Sequence, residues 1–101
     1  MEQLTITPLV PPQHGFHLIG ELDMATVTQF KTALEAASEN GPVTLDLAQL
    51  TFIDSSGLYA VMEFARSRNG NGPLILLSPT ATARRAIAIA GLDGQPGVEV
   101  R

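Results

Sequence analysis

The sequence predicts a small α/β domain, a mixed β-sheet in the chain order ββαβαβαβ with helices packed against it. Three observations carry that expectation. Apolar residues recur with a period of two in some segments and near 3.6 in others, which marks strands alternating with helices. Clusters rich in glycine and proline, around 11–15, 40–42 and 69–73, punctuate the segments. The 101 residues, 45% of them apolar, suffice for one domain with its own core, expected over residues 1–101.

Leu4-Thr5-Ile6-Thr7 alternates apolar and polar, as a half-buried strand does. Pro8 suits an edge strand, because it has no N–H for a ladder. Pro11-Pro12-Gln13-His14-Gly15 is a turn, and Phe16-His17-Leu18-Ile19 is its expected hairpin partner. Residues 24–39 place Val27, Phe30, Leu34 and Ala37 on one helical face. Asp23 stands where an N-cap belongs, with Leu22 and Val27 at the two positions of a hydrophobic staple. Asn40-Gly41-Pro42 stops this helix, Gly41 being free to take the left-handed conformation at its end.

Val43-Thr44-Leu45-Asp46-Leu47 alternates again as a third strand, ending near Leu47 before a short loop. A second helix opens near Ser55, with Leu58, Val61, Met62 and Ala65 as its apolar stripe, and stops at Asn69-Gly70-Asn71-Gly72-Pro73. Leu74-Ile75-Leu76-Leu77 is a continuous apolar strand, as expected where both faces of a sheet are partly covered. Ser78 is the expected cap of a third helix, with Pro79 in its first turn. Ala83, Ile87 and Ala90 face inward on it, and Gly91-Leu92 closes it. Val98-Glu99-Val100 makes a short last strand. Strands that alternate with helices imply parallel neighbours joined by crossover helices.

Composition excludes several classes of function. The longest apolar run, Leu74 to Leu77, falls far short of the roughly 18 residues of a membrane span. Met1-Glu2-Gln3-Leu4-Thr5 lacks the charged flank and apolar stretch of a secretory signal, so the cytoplasm is the expected compartment. There is no cysteine, hence no disulfide and no thiolate metal site. Six Lys and Arg against ten Asp and Glu give a net charge of −4, which argues against a nucleic-acid partner. The Gly-x-Ser-x-Gly elbow and the Gly-x-x-x-x-Gly-Lys phosphate loop are both absent. His14 and His17, three apart in an extended segment, form a poor metal pair and read as solvated. Arg66, Arg68, Arg84 and Arg85 read as solvated helix ends and faces. The expectation is a protein without enzymatic activity, cofactor or metal.

The segment that carries chemistry is Leu50-Thr51-Phe52-Ile53-Asp54-Ser55-Ser56-Gly57-Leu58. With Asp54 as N-cap, Ile53 and Leu58 fall at the staple positions, and Ser55 and Ser56 become the first two helical residues. Both hydroxyls then sit at the positive end of a helix. Gly57 removes a side chain there and lets another backbone approach. A phosphate on Ser55 would add about −1.5 to −2 charges. The helix N-terminus favours such charge by about 0.3–1 kcal/mol at an exposed site. Phosphorylation would therefore spare the fold and act on whatever surface docks there. The same four residues also make an ordinary helix start. Tyr59 and Glu63 share a side of this helix one turn on. Tyr59 reads equally as a contact residue or as a half-buried ring.

Three blocks together resemble the STAS domain of bacterial anti-sigma factor antagonists. They are Gly20-Glu21-Leu22-Asp23, then Phe52-Ile53-Asp54-Ser55-Ser56-Gly57-Leu58, then Ser78-Pro79 through Arg85 to Ala90-Gly91-Leu92. The resemblance implies a STAS-like fold and a role in transcription regulation through protein–protein interaction. It implies that Ser55, with Ser56 as runner-up, accepts phosphate from ATP held by an anti-sigma factor that is a serine kinase. The unphosphorylated form would bind that kinase, and a phosphatase would restore it. Asp23 would help form the docking face near the serine. Asp54 would assist phosphorylation and shape the loop, with Ser56, Gly57 and Tyr59 completing the partner-binding set. Family members often continue into a further helix, whereas this sequence stops at Arg101. The alternative is an accessory STAS subunit that regulates a transporter or lipid-trafficking complex by constitutive docking, with Ser55 structural.

Overall fold

Val43, Leu45 and Leu47 project to one side of a strand and are almost wholly withdrawn from solvent. That side is the face on which the helices lie. The computed structural model describes residues 3–37 and 40–101. These residues form β1 (Leu4–Pro8), β2 (Gly15–Leu22), α1 (Val27–Ala36), β3 (Val43–Ile53), α2 (Ser55–Ser67), β4 (Leu74–Leu77), α3 (Ala81–Ile89), a 3-10 turn (Leu92–Gly94) and β5 (Val98–Val100). The strands make one sheet in the order β1-β2-β3-β4-β5. The β1–β2 pair is antiparallel, and every later pair is parallel. Hairpin, crossover helices and parallel neighbours stand as the sequence implies.

The inward residues of the strands meet one apolar face of each helix in a single cluster. Leu18, Leu45 and Leu76 supply the sheet side, and Phe30, Val61 and Ile87 the helix side. Burying a side chain of this size contributes about 1.5–3 kcal/mol. The second face of the sheet is more polar. On it His17 and Asp46 are register partners, and His17 Nδ1 lies 2.9 Å from Asp46 Oδ2. His17 is thus paired rather than simply solvated. Gly15, at the start of β2, has φ 140°, and a Cβ there would sit 1.8 Å from the Thr44 carbonyl oxygen. Glycine alone allows β2 to approach β3 at that point.

Several boundaries differ from expectation. The helix expected from residue 24 begins at Val27, because residues 23–26 form a turn of their own. It ends at Ala36. Residues 38–39, expected to be its last turn, lie outside the described residues, as do Met1 and Glu2. Gly41 takes a positive φ of 104°, but in the connection to β3, beyond the C-cap Ala37. β3 does not end near Leu47. It runs on to Ile53, and its pairing with β2 shifts register twice, between His17 and Ile19 and between Gly20 and Glu21. Those irregularities break the strict alternation that would have announced the extension.

The third helix is capped by Thr80, not Ser78. The Thr80 hydroxyl accepts from the Ala83 N–H at 3.2 Å and itself donates to the Leu50 carbonyl at 3.0 Å. Ser78 is exposed at φ 51°, so Pro79 precedes the helix instead of opening it. Ala83 and Ile87 are buried as expected, whereas Ala90 is exposed. On α2, Ala60 and Phe64 join Val61 and Ala65 as the buried residues, while Leu58 and Met62 are half-buried.

Arg68 is a further correction: it is 5% exposed, not a solvated helix end. Its Nε donates to the Gly72 carbonyl at 3.1 Å, its second terminal nitrogen donates to the Gly41 carbonyl, and its guanidinium lies 5.5 Å from the Phe64 ring centroid. The side chain thereby ties together the loops that follow α1 and α2. Burial lowers its pKa from the ordinary arginine value.

Candidate functional site

The site begins where β3 hands over to α2. Asp54 leaves the sheet with extended backbone (φ −105°, ψ −174°), and the next residue is helical. That break exposes the first N–H groups of α2, which need acceptors. Asp54 supplies one: its Oδ1 accepts from the Gly57 N–H at 3.1 Å. Ile53 on one side and Leu58 on the other pack against the core, as a hydrophobic staple requires. Asp54 is therefore the cap, as expected. Ser55 is the first residue of α2 and is exposed; Ser56 follows and is half-buried.

Asp54 has a second role that the sequence does not announce. Its Oδ2 accepts from the Met24 N–H at 3.2 Å, and its own N–H donates to the Leu22 carbonyl at 3.1 Å. The turn after β2 is thus fastened to the start of α2. Asp23 organises that turn. Its Oδ1 accepts from the Ala25 N–H at 3.0 Å and the Thr26 N–H at 3.2 Å, while its own N–H donates to the Thr26 hydroxyl at 2.9 Å. Thr26 is buried and donates on to the Glu21 carbonyl at 3.0 Å. Asp23 therefore closes the 23–26 turn, and the Asp54–Met24 bond brings that turn beside the serines.

Met24 is 77% exposed and Tyr59 63% exposed; Tyr59 borders Ser55, and the Met24 backbone is tied to Asp54, the residue before that serine. Tyr59 is thus an outward-facing ring. Nothing in the sequence marks Met24 except its place after Asp23. Gly57 stands otherwise than expected. A Cβ on it would fall 2.7 Å from Leu22 Cγ and 3.0 Å from Ile53 Cγ1, so side chains, not another backbone, press against it. It is buried, and its place is in packing α2 onto β2 and β3.

Two shallow depressions border Ser55. One is lined by Val27, Lys31, Ser55, Ser56 and Tyr59, the other by Ser55, Leu58, Tyr59, Met62, Arg66 and Ala90. Among the described residues no cluster of three metal-ligating side chains occurs, and no helix is long and apolar enough to cross a membrane. The arrangement is an exposed hydroxyl at a helix N-terminus, on a base that Asp54 fastens at two points and within a partly apolar surface. It suits modification and docking.

The family model described as "Mlab, STAS domain" matches residues 12–100. An anti-sigma F factor antagonist of Lysinibacillus sphaericus is 38% identical over 79 residues, which are 74% of this chain and 68% of that protein. The unphosphorylated structure of the anti-sigma factor antagonist SpoIIAA superposes with a TM-score of 0.72 at 26% identity, covering 97% of this chain and 87% of that one. The phosphorylated form of SpoIIAA, a Bacillus cell fate determinant, gives 0.69 at 25% identity, over 97% and 90% of the two chains. An anti-sigma factor antagonist from Mycobacterium paratuberculosis shares the fold, with a TM-score of 0.80 at 20% identity over 95% and 83%. The match over most of its length, together with the intact Asp54-Ser55-Ser56-Gly57 helix start, places this chain in the STAS-domain family of anti-sigma factor antagonists.

Proposed function

We propose that this chain is a phosphorylation-controlled antagonist that docks on a serine-kinase anti-sigma factor while Ser55 is free and leaves it when Ser55 carries phosphate. One observation carries the reading: the Ser55 side chain is exposed at the first position of α2, on a loop that Asp54 fastens at two points. Ser56 is half-buried beside it, which makes it the poorer acceptor. In the transfer, the Ser55 hydroxyl oxygen bonds to the γ-phosphorus of ATP. The bond to the bridging oxygen breaks, ADP leaves, and the hydroxyl proton passes to a base of the kinase. The product has about −1.5 to −2 further charges at a helix N-terminus, where they are tolerated. A partner fitted to a neutral hydroxyl must then accommodate charge and bulk, so the complex weakens while the domain stays folded. A phosphatase returns the chain to its binding state.

The test is to incubate the chain with the serine-kinase anti-sigma factors of its source genome and ATP, and to map phosphate by mass spectrometry. Phosphate on Ser55 is expected. Ser55→Ala should bind the kinase as wild type does, and Ser55→Asp should bind poorly. Equal binding by those two variants would point instead to constitutive docking. Phosphate on neither serine would remove the switch.

A further inference from the structure

We propose that the docking partner reaches Ser55 along the groove between α2 and the end of α3, and that the segment it lays there is apolar with one carboxylate set for Arg66. This rests on the docking role just proposed and assigns its surface. Ser55, Tyr59, Met62 and Arg66 occur at i, i+4, i+7 and i+11 on α2, one continuous stripe. Eleven residues at 1.5 Å each give a track about 16 Å long. Leu58 and Ala90 line it with them, and Ile89, next to Ala90, is 81% exposed.

Charge separates this groove from its neighbour. The α2–α3 track is lined by one charged residue, Arg66, and by no carboxylate. Arg66 is exposed, and among the described residues it has no acidic partner. In a chain of net charge −4, a strip whose one lining charge is positive is a local exception, with Glu63 exposed on α2 outside its lining. The groove between α1 and α2 is mixed instead, with Lys31 beside Glu35 and Glu63. An acidic occupant is attracted to the first and repelled by part of the second. The layout also explains release. A phosphate on Ser55 enters the head of the track about 16 Å from Arg66. That exceeds the roughly 8 Å screening length at physiological salt, so Arg66 does not reach it, and release follows from the charge and bulk placed at the apolar head of the track beside Tyr59.

The experiment measures dissociation constants, by calorimetry in low and moderate salt, between the full chain and each purified serine-kinase anti-sigma factor of the source genome. Arg66→Glu should weaken binding at least tenfold and flatten its salt dependence. Glu35→Lys, in the other groove and away from Ser55, should change it less than twofold. Circular dichroism checks that both variants are folded. Carboxylate-to-lysine variants of the kinase should include one that restores affinity for Arg66→Glu. Binding by Arg66→Glu within twofold of wild type, or a larger change from Glu35→Lys, overturns the assignment. If wild type binds and phosphorylation releases it while Arg66→Glu behaves as wild type, this groove is wrong and the switch stands. If wild type binds none of the kinases, both readings fall.

Discussion

Asp54 grips Met24: one carboxylate oxygen accepts from the Met24 N–H at 3.2 Å while the other caps α2 through the Gly57 N–H at 3.1 Å. A single side chain thus fixes both the turn after β2 and the helix that presents Ser55. Replacing it with alanine removes both bonds. A lost cap costs about 0.5–2 kcal/mol, so Asp54→Ala is expected to lower stability in urea unfolding by about 1–2 kcal/mol. Asp54→Asn keeps one acceptor oxygen and turns the other into a donor. It can hold Gly57 or Met24 but not both, and its stability should fall between wild type and alanine. Asparagine as damaging as alanine would mean that the two-sided grip does not govern the effect.

This helix start was legible because every signal for it is local. Asp54, the Ile53–Leu58 staple and the following apolar stripe lie within a few residues of one another. The start of α1 was displaced for the converse reason. Asp23 serves a cap and an isolated turn equally well, and only the bond from Thr26 back to Glu21 and the long-range bond from Met24 to Asp54 select the turn. The extension of β3 to Ile53 was hidden by its register shifts against β2. The burial of Arg68 had no sequence signal at all, since its acceptors, Gly41 and Gly72, belong to two different loops. Of the candidate site, the serines and their cap could be read directly; Met24 and the buried place of Gly57 needed the packing of β2 against α2.

At α3 two hydroxyl residues compete as cap, and the structure chooses Thr80. Thr80→Ala should cost about 1 kcal/mol, plus whatever is lost with its bond to the Leu50 carbonyl. Ser78→Gly should not destabilise. Ser78 sits at φ 51°, where a side chain costs about 1–2 kcal/mol, so glycine is expected to hold or raise the thermal midpoint. A loss on Ser78→Gly larger than on Thr80→Ala would restore Ser78 as the capping residue.

Arg68 offers a test of the far end of α2. Arg68→Met keeps much of the stem but strands the Gly41 and Gly72 carbonyls. A stranded acceptor costs about 1–3 kcal/mol when it is withdrawn from water, and both of these are half-exposed, so a total near the low end of that range is expected. In a domain of this size each kcal/mol moves the thermal midpoint by about 4–8 °C. Lysine should recover only part of the loss, because a point charge does not span two carbonyls as a planar fork does. Full recovery by lysine would show that charge, not the forked geometry, holds the two loops.

Gly57 and Leu22 form the pair that seats α2 on the sheet. A Cβ at 57 meets Leu22 Cγ at 2.7 Å, closer than packed carbons approach, and Leu22 is fully buried. Gly57→Ala should therefore lose stability through overpacking, by about 1–3 kcal/mol, offset by up to about 1 kcal/mol of improved helix propensity. Leu22→Ala alone should cost about 2–5 kcal/mol for the cavity it leaves. In the Leu22→Ala background only Ile53 Cγ1, at 3.0 Å, still presses on the new methyl, which fills part of the cavity, so Gly57→Ala should cost less there than in the wild type. Equilibrium unfolding of the four proteins in a double-mutant cycle measures the coupling. Additive losses would mean that Leu22 does not set the seat of α2, and that the presentation of Ser55 rests on the Asp54 bonds alone.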